Sequence, residues 1–209
     1  MMKTPEQLKL QRWLEEYALD RVLQTGLSGK LEASCPDFSQ EPAPAEGQIR
    51  LWPAREREMS PCYGVLFSAG YSKWRVFPFS EFSMPATPEE WKLRDGGPAR
   101  VLQGWNVRVI DQAAARQSWC VDCISDAEMF GVNRWWLEIS AGELRCGEQQ
   151  GPPLRHPLDP RYEYLDAEGF RVDACIGEAR PGYPAAPELK KAAEPPESYG
   201  GNSEKDPSP

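Results

Sequence analysis

Histidine is nearly missing from this chain of 209 residues, in which His156 is the only one. Histidine is the commonest acid–base group in enzymes and a frequent ligand of zinc. A Ser-His-Asp triad would have to use this residue, which lies in the proline-rich run GPPLRHPLDP. The sequence therefore disfavours a histidine-based hydrolase, and we assign no catalytic residue, metal or cofactor from it.

Long hydrophobic runs are missing as well. No segment has about 18 consecutive apolar residues, the length that crosses a bilayer. The first residues, MMKTPEQLKLQRW, contain no apolar stretch of signal-peptide length. We therefore expect a soluble, cytoplasmic protein without a membrane partner, and mostly reduced thiols for its six cysteines.

Positive charge is the third shortage, with 24 Lys and Arg against 32 Asp and Glu and a formal net charge of -8. Proteins that wrap nucleic acid by electrostatic attraction usually carry a basic patch or domain. Nucleic acid is therefore a less favoured partner than another protein. The hydrophobic share of 40% is large enough to build a core.

The composition predicts four segments along the chain. Residues 1–30 are predicted to hold an amphipathic helix, residues 31–46 a linker, residues 47–176 a globular domain, and residues 177–209 a disordered tail. Thr4 and Gln7 form a capping-box pattern at the start of the helix. Trp13 and Tyr17 lie on its apolar face, where they pack on the domain or bind a partner.

The pattern of the globular domain is mainly β. Strands are predicted in QIRLWPA, CYGVLFS and KWRVFPF, with a hairpin turn at 69–72 between the last two. In KWRVFPF both faces carry apolar side chains, because Trp74 and Val76 lie on one face and Phe77 on the other. We therefore expect an α+β fold in which a small curled antiparallel barrel is flanked by helices.

Four further elements are predicted in the second half of the chain. Strands are expected in ARVLQGWNVRVI and SWCVDCI, and a last hairpin in RYEYLDAEGFRVDACI, turning at 166–169. A helix near 126–140 starts at a capping box formed by Ser125 and Glu128 and packs on the barrel. Trp135 and Trp136 are adjacent in it, so that one can be buried while the other lies at an interface.

The motif WCVDC places Cys120 and Cys123 in a Cys-x-x-Cys spacing after a tryptophan. Redox exchange needs such a pair, usually at the start of a helix. A zinc site would add Cys146 and either His156 or Cys175. Two small thiols on a strand are the simplest interpretation.

The stretch WRVFPFSEFSMPATPEEW, residues 74–91, raises the main functional question. Its first half predicts a core strand, and its second half a proline-shaped rim at the end of that strand. The carboxylates Glu81, Glu89 and Glu90 suggest an acid–base pair. A simpler interpretation is that Thr87 caps a short helix whose first turn holds two of these glutamates and which Trp91 anchors.

The charged stretch AREREMSP, residues 54–61, has the length and composition of a loop between two strands. Its arginines, Arg55 and Arg57, suggest a clamp for a phosphate group. An alternating run of charges is more often a solvated loop.

Four short elements between residues 47 and 83 resemble the start of the MazF/PemK-type small barrels, known chiefly as endoribonuclease toxins of toxin–antitoxin pairs. They are Gly47-Gln48-Ile49, the AREREMS loop, PCYGVLFS and VFPFS. That family commonly places a catalytic arginine before the proline of the second strand, where this chain has Ser60. Ser80 matches the family's hydroxyl position. The resemblance thus implies a barrel whose catalytic position is vacant.

Three functional hypotheses follow. The leading one is a non-enzymatic protein-interaction module, which binds through the rim and the N-terminal helix; the others are a divergent endoribonuclease toxin and a zinc-stabilised adaptor. The candidate binding residues are Arg55, Arg57, Arg75, Ser80, Glu81, Trp13 and Tyr17.

Overall fold

A computed structural model describes residues 4–24, 41–54, 60–94, 101–143 and 147–177, with the backbone alone for residues 18–24. It confirms the α+β class. Helices α1 to α4 span Pro5–Gln24, Gln112–Ala115, Asp126–Ala141 and Arg161–Ile176. Strands β1 to β7 span Gln48–Trp52, Cys62–Gly70, Lys73–Pro78, Glu90–Lys92, Val101–Gln103, Arg108–Asp111 and Trp119–Cys123, and a 3-10 turn occupies Gly104–Asn106.

Five strands form an antiparallel sheet in the order β6-β3-β2-β1-β7, and β4 and β5 form a second, two-stranded sheet. The predicted hairpin between β2 and β3 is confirmed. Its turn places Tyr71 at φ 44° and Ser72 at φ 63°, the left-handed conformation that matches the twist of the two strands. The isolated bridge between Phe79 and Leu102 joins the small sheet to the end of β3.

The expected curled barrel is not what the described strands form. The five-stranded sheet is open, with β6 and β7 at its two edges. Helix α3 covers one face through Val132 and Trp135, and α4 covers the other through Val172 and Cys175. A helix lies on each face of the sheet, and the apolar side chains on both faces of β3 are therefore buried although the sheet does not curl.

The capping signals place the two long predicted helices correctly. The Gln7 N–H donates to Thr4 Oγ1 at 3.3 Å, and the Thr4 N–H donates to Gln7 Oε1 at 2.9 Å. Ser125 caps α3 by accepting from the Glu128 N–H, and Gly142 ends it at φ 70°. In α3, Trp135 is buried, and Trp136 is half-buried beneath the Arg75 guanidinium, 5.1 Å from the ring centroid.

Two local predictions were wrong. The predicted last hairpin is helix α4, whose inward positions Tyr164, Glu168, Arg171 and Cys175 follow a helical spacing. Two of those positions are charged, so the apolar stripe that marks a helix is interrupted. The short helix predicted at Thr87 is a turn that leads into β4: the Glu90 N–H donates to Thr87 O at 3.1 Å.

Some predicted segments lie partly or wholly outside the described residues. These are the loop holding Arg55 and Arg57, residues 25–40 of the helix end and linker, and the tail beyond Gly177. Residues 41–46 contact the sheet, since the Cys120 N–H donates to Glu41 Oε2 at 2.8 Å. Within the described part of the chain, no helix is long and apolar enough to cross a bilayer.

Candidate functional site

The rim, residues 81–91, turns inward from the end of β3, together with Ser80 directly before it. Ser80, Phe82, Thr87 and Glu90 are all buried. Backbone hydrogen bonds tie the segment to its neighbours: the Ser80 N–H donates to Val101 O of β5 at 2.8 Å, and the Gly151 N–H donates to Thr87 O at 2.9 Å. The rim is thus a folded wall with a largely buried inner side.

This wall and the start of α4 form a groove, which we call the aromatic groove. It is lined by Phe82, Met84 and Ala86 of the rim and by Tyr164 and Leu165 of α4. Helix α1 lies in it and inserts Trp13, which is 1% exposed. The Trp13 ring lies edge-on to Phe82 at 5.3 Å and to Tyr164 at 5.5 Å between centroids.

Tyr17 completes the apolar contact of α1, one helical turn beyond Trp13. Its ring stacks on Trp13 at 4.6 Å and meets the edges of Phe82 and Tyr164 at 5.4 and 5.7 Å. Two residues at i and i+4 lie on the same side of a helix, so both rings enter the groove together. Leu8 points away from it and is 54% exposed.

Polar contacts fix the first turns of α1. The Lys9 Nζ donates to Gly147 O at 2.9 Å and to Gln150 O at 3.3 Å. Glu6 pairs with Arg155 at 2.7 Å, and both side chains are largely exposed. Exposed pairs of this kind contribute little to stability, and the lysine, with its two carbonyl acceptors, is the more specific of the two contacts.

A buried polar network forms the floor of the aromatic groove. Glu90 is at its centre: Oε1 accepts from the Tyr164 hydroxyl at 2.9 Å and from the Trp105 Nε1–H at 2.9 Å, while Oε2 accepts from the Ala86 N–H. The Tyr164 hydroxyl is also 2.7 Å from Ser80 Oγ, which in turn accepts from the Phe82 N–H. One tyrosine therefore presents its ring to Trp13 and its hydroxyl to the network.

The network continues along α4 through Glu168 and Arg171. Glu168 Oε2 accepts from Gln103 Nε2 and from Arg171 Nη2, both at 2.7 Å, and Oε1 accepts from the Glu81 N–H at 3.2 Å. Arg171 Nη2 also donates to Phe79 O at 2.7 Å. These bonds attach α4 to the rim, to β5 and to the end of β3.

The electrostatics of the network are dominated by burial. Burial raises the pKa of Glu90 to about 7, against the pull of its three hydrogen-bond donors. Burial, together with the nearby charge of Glu90, also raises the pKa of Tyr164. At a given pH, both side chains are therefore protonated to a greater extent than they would be in water.

The network has the components of acid–base chemistry, but the described residues bury it from solvent. Glu90 is 0% exposed and Tyr164 is 2% exposed, with Trp13 above the tyrosine ring. A general acid or base has to lie within hydrogen-bond reach of the group it serves. In the structure with α1 docked, these residues shape and hold the groove.

Four of the predicted binding residues meet at this site. Trp13 and Tyr17 lie in the groove, Ser80 lies in its floor, and Glu81 is at its margin, 3.8 Å from Arg171 Nε. Arg75 does not join them, because it lies over Trp136 of α3, on the other face of the sheet. Arg55 and Arg57 belong to the loop outside the described residues.

The described residues provide no set of ligands for the hypothetical zinc site. Among the described residues, no three His, Cys, Asp or Glu side chains lie together as metal ligands would. Cys146, the third ligand of the hypothetical zinc site, is outside that part of the chain. Cys120 and Cys123 lie on the edge strand β7 and precede Ser125, the N-cap of α3, so neither thiol caps that helix.

Sequence reasoning missed the residues from the second half of the chain. The sequence pattern predicts a hairpin for Tyr164, Glu168 and Arg171, and it indicates no role for Gln103 and Trp105. The spacing of Tyr164, Glu168, Arg171 and Cys175, at four, three and four positions, is the signal that identifies them as one helical face. Nothing in the sequence indicates that this face meets Glu90.

Comparison of the chain with protein-family models, with curated proteins and with solved structures finds no match in any of the three.

Proposed function

We propose that this protein is a non-enzymatic interaction module that binds an amphipathic helix of a partner protein in the aromatic groove. The observation that carries the proposal is the seating of Trp13 and Tyr17 of α1 in that groove. Recognition of a helix in an apolar groove through residues at i and i+4 is a recurring mode of protein binding. Helix α1 is then the resident occupant, which a partner helix displaces.

The walls of the groove are built without α1, which supports this function. Glu90 and Tyr164 are hydrogen-bonded to the rim and to each other, and the Arg161 guanidinium donates to Ala86 O and Pro152 O at 2.5 and 2.6 Å. Arg161 is 1% exposed and also pairs with Asp159 at 2.6 Å. The groove should therefore keep its shape when α1 leaves, and a preformed site binds with a smaller entropic cost.

The docking of α1 is imperfect, which also favours exchange. The Trp13 Nε1–H is buried and has no hydrogen-bond partner among the described residues. Leaving a buried donor unsatisfied costs about 1–3 kcal/mol. Among the residues of α1 whose side chains the structure describes, 4–17, the apolar contacts with the groove come from Trp13, Leu14 and Tyr17.

The groove also defines the chemistry of the partner helix. It should carry two aromatic residues at i and i+4, in the positions of Trp13 and Tyr17. A lysine one turn before them would reach the carbonyl oxygens of Gly147 and Gln150, which accept from Lys9 here. A cationic helix also suits a chain whose formal net charge is -8.

A peptide of residues 4–24 tests this function when it is titrated against the full-length chain. Replacing a buried tryptophan by alanine costs about 3–5 kcal/mol, so Trp13→Ala in the chain should weaken docking of its own helix by at least about 100-fold. We expect the labelled peptide to bind the Trp13→Ala chain measurably more tightly than the wild type, as read by fluorescence anisotropy.

Matched peptides define the specificity of that binding. The Leu8→Ala peptide should bind like the original, because Leu8 points away from the groove, whereas the Trp13→Ala peptide should not bind. Adding Phe82→Ala to the chain should weaken binding of the original peptide. A Trp13→Ala chain that is folded by circular dichroism and binds none of these peptides would show that the groove is only an internal packing site.

A further inference from the structure

The edge strand β7 contains a β-bulge inside the Cys-x-x-Cys motif. In its pairing with β1, Cys123 faces Gln48 and Asp122 faces Ile49, but the next pair is Cys120 with Arg50. Val121 is thus an extra residue with no partner of its own, and its side chain is 49% exposed. A bulge of this type shifts the alternation of side chains on the strand that carries it.

This shift brings the two cysteines to one face of the sheet. In a regular strand, residues three positions apart point to opposite faces. Here Cys120 and Cys123 face Arg50 and Gln48, which are two positions apart and both buried on the same side of β1. The two Cα atoms are then separated by roughly 6.8 Å, the rise of two strand residues, which is the upper end of the range that a disulfide usually spans.

The surroundings of the thiols differ. Cys123 is exposed, while Cys120 is half-buried, and both are free thiols. Burial, and then the neighbouring Cys123 through its charge and a hydrogen bond, raise the pKa of Cys120, whereas the Arg50 guanidinium lowers it. This influence of Cys123 on Cys120 agrees with the placement that the strand register gives.

We propose that Cys120 and Cys123 form a reversible dithiol–disulfide site that exchanges with low-molecular-weight disulfides. The exposed Cys123 is the attacking thiol and the half-buried Cys120 is the resolving thiol. The site is independent of the aromatic groove and of the proposed binding of a helix. The buried thiols Cys62 and Cys175, at 0% and 7% exposure, are closed to such an oxidant.

The exchange balances in two steps. The Cys123 thiolate attacks one sulfur of a disulfide RSSR, forming a mixed disulfide and releasing one RS⁻, which takes up the proton lost by Cys123. The Cys120 thiolate then attacks the Cys123 sulfur, forming the Cys120–Cys123 disulfide and releasing the second thiol. The two protein thiols are oxidised by two electrons, and RSSR is reduced to two RSH.

The test uses the full-length chain in buffers of oxidised and reduced glutathione, with mass analysis after alkylation. Trypsin cleaves after Arg116 and Arg134, so both cysteines fall in one peptide, residues 117–134, which contains no other cysteine. We expect the wild-type peptide to lose two hydrogen atoms and retain no glutathione. The Cys120→Ser peptide should retain about one glutathione on Cys123, because the resolving thiol is absent.

The Cys123→Ser variant is the matched control. Its remaining thiol is half-buried, so it should retain clearly less glutathione than Cys120→Ser in the native chain, and this difference should vanish when both chains are unfolded in guanidinium. The proposal fails if both native variants are modified equally, or if the wild-type peptide keeps a mixed disulfide as persistently as Cys120→Ser does. It also fails if purified protein retains stoichiometric zinc that protects both thiols from oxidation.

Discussion

At the residue scale, Glu90 shows how tertiary packing can bury a carboxyl group and raise its pKa, although its place in the sequence indicates neither. It follows another glutamate in a polar, proline-containing stretch, yet it is 0% exposed and accepts hydrogen bonds from Trp105, Tyr164 and the Ala86 N–H. Three donors satisfy its oxygens, but burial still favours the neutral acid. The carboxyl group is therefore a pH-sensitive part of the floor of the aromatic groove.

The Glu90→Gln variant tests that sensitivity. The folded-state pKa of Glu90, about 7, is higher than its ordinary value of 4.5, so its contribution to stability is fully present below about pH 4.5 and is lost as pH rises through about 7. A shift of this size corresponds to roughly 3 kcal/mol. We expect the unfolding free energy of the wild type, relative to Glu90→Gln, to fall by an amount of this order between pH 4.5 and 8.

The measurement is urea unfolding of both chains at several pH values. The difference between the two removes the contributions of titrating groups that they share. Two curves that run parallel over this pH range would mean that Glu90 titrates alike in the folded and unfolded states, and that burial does not perturb it.

At the scale of elements, close backbone contact between the rim and the segment 147–153 positions the wall of the groove. Gly151 is buried beside the rim and its N–H donates to Thr87 O. A Cβ atom at Gly151 would lie 2.5 Å from Thr87 N and 2.6 Å from Ala86 C, and it would also meet Pro85 O. Only glycine allows two backbone segments to approach this closely.

The Gly151→Ala variant should therefore be destabilised by about 1–3 kcal/mol or more, because the added methyl group meets backbone atoms that have no room to move. Gly131→Ala in α3 is the matched control. Its Cβ would lie 3.4 Å from Trp91 Cζ2, an ordinary contact, and alanine favours a helix over glycine by about 0.5–1 kcal/mol. Urea unfolding should show opposite signs for the two variants, and equal effects would contradict this account of the rim.

At the scale of the whole molecule, the layers keep apart Arg75 and Ser80, two residues that the ribonuclease hypothesis would place at one phosphate. The five-stranded sheet lies between α3 and α4. Arg75 lies on the α3 side over Trp136, whereas the Ser80 hydroxyl is buried on Tyr164 of α4. Cleavage of RNA in a MazF/PemK-type barrel requires a cation and a polar group at one phosphate.

We therefore expect no cleavage of single-stranded RNA by the purified chain. The measurement is incubation with a mixed-sequence RNA and separation of the products by length. Removing one charge-stabilising group typically costs about 100- to 1,000-fold in rate. By the resemblance of residues 47–83 to the MazF/PemK-type barrels, Ser60 would stand in the position of the catalytic arginine. Specific cleavage that disappears in both Arg57→Ala and Ser80→Ala variants with intact folds would contradict the proposed interaction module and support the ribonuclease hypothesis.

The fold was predictable from the sequence wherever the signal is local. The pairs Thr4 with Gln7 and Ser125 with Glu128 place the starts of α1 and α3, and the turn at 69–72 joins β2 to β3. Helix α4 was missed because Glu168 and Arg171 occupy its inward face, where the apolar period should appear. The candidate site was predictable only in part. The sequence places Trp13 and Tyr17 on the apolar face of α1 and Ser80 at the end of β3, but it does not show that Tyr164 of α4 contacts all three.

By itself, the sequence determined the features that depend on residues within about four positions. These are the helix caps, the hairpin turn and the alternation of the side chains of β3 between the two faces of the sheet. The tertiary structure alone decided that Trp13 meets Tyr164, that Glu90 is buried among distant donors, and that a bulge places Cys120 beside Cys123. Such contacts depend on strand register and on the packing of helices across the sheet. A local pattern carries no information about either, because they are set by the free energy of the whole folded chain.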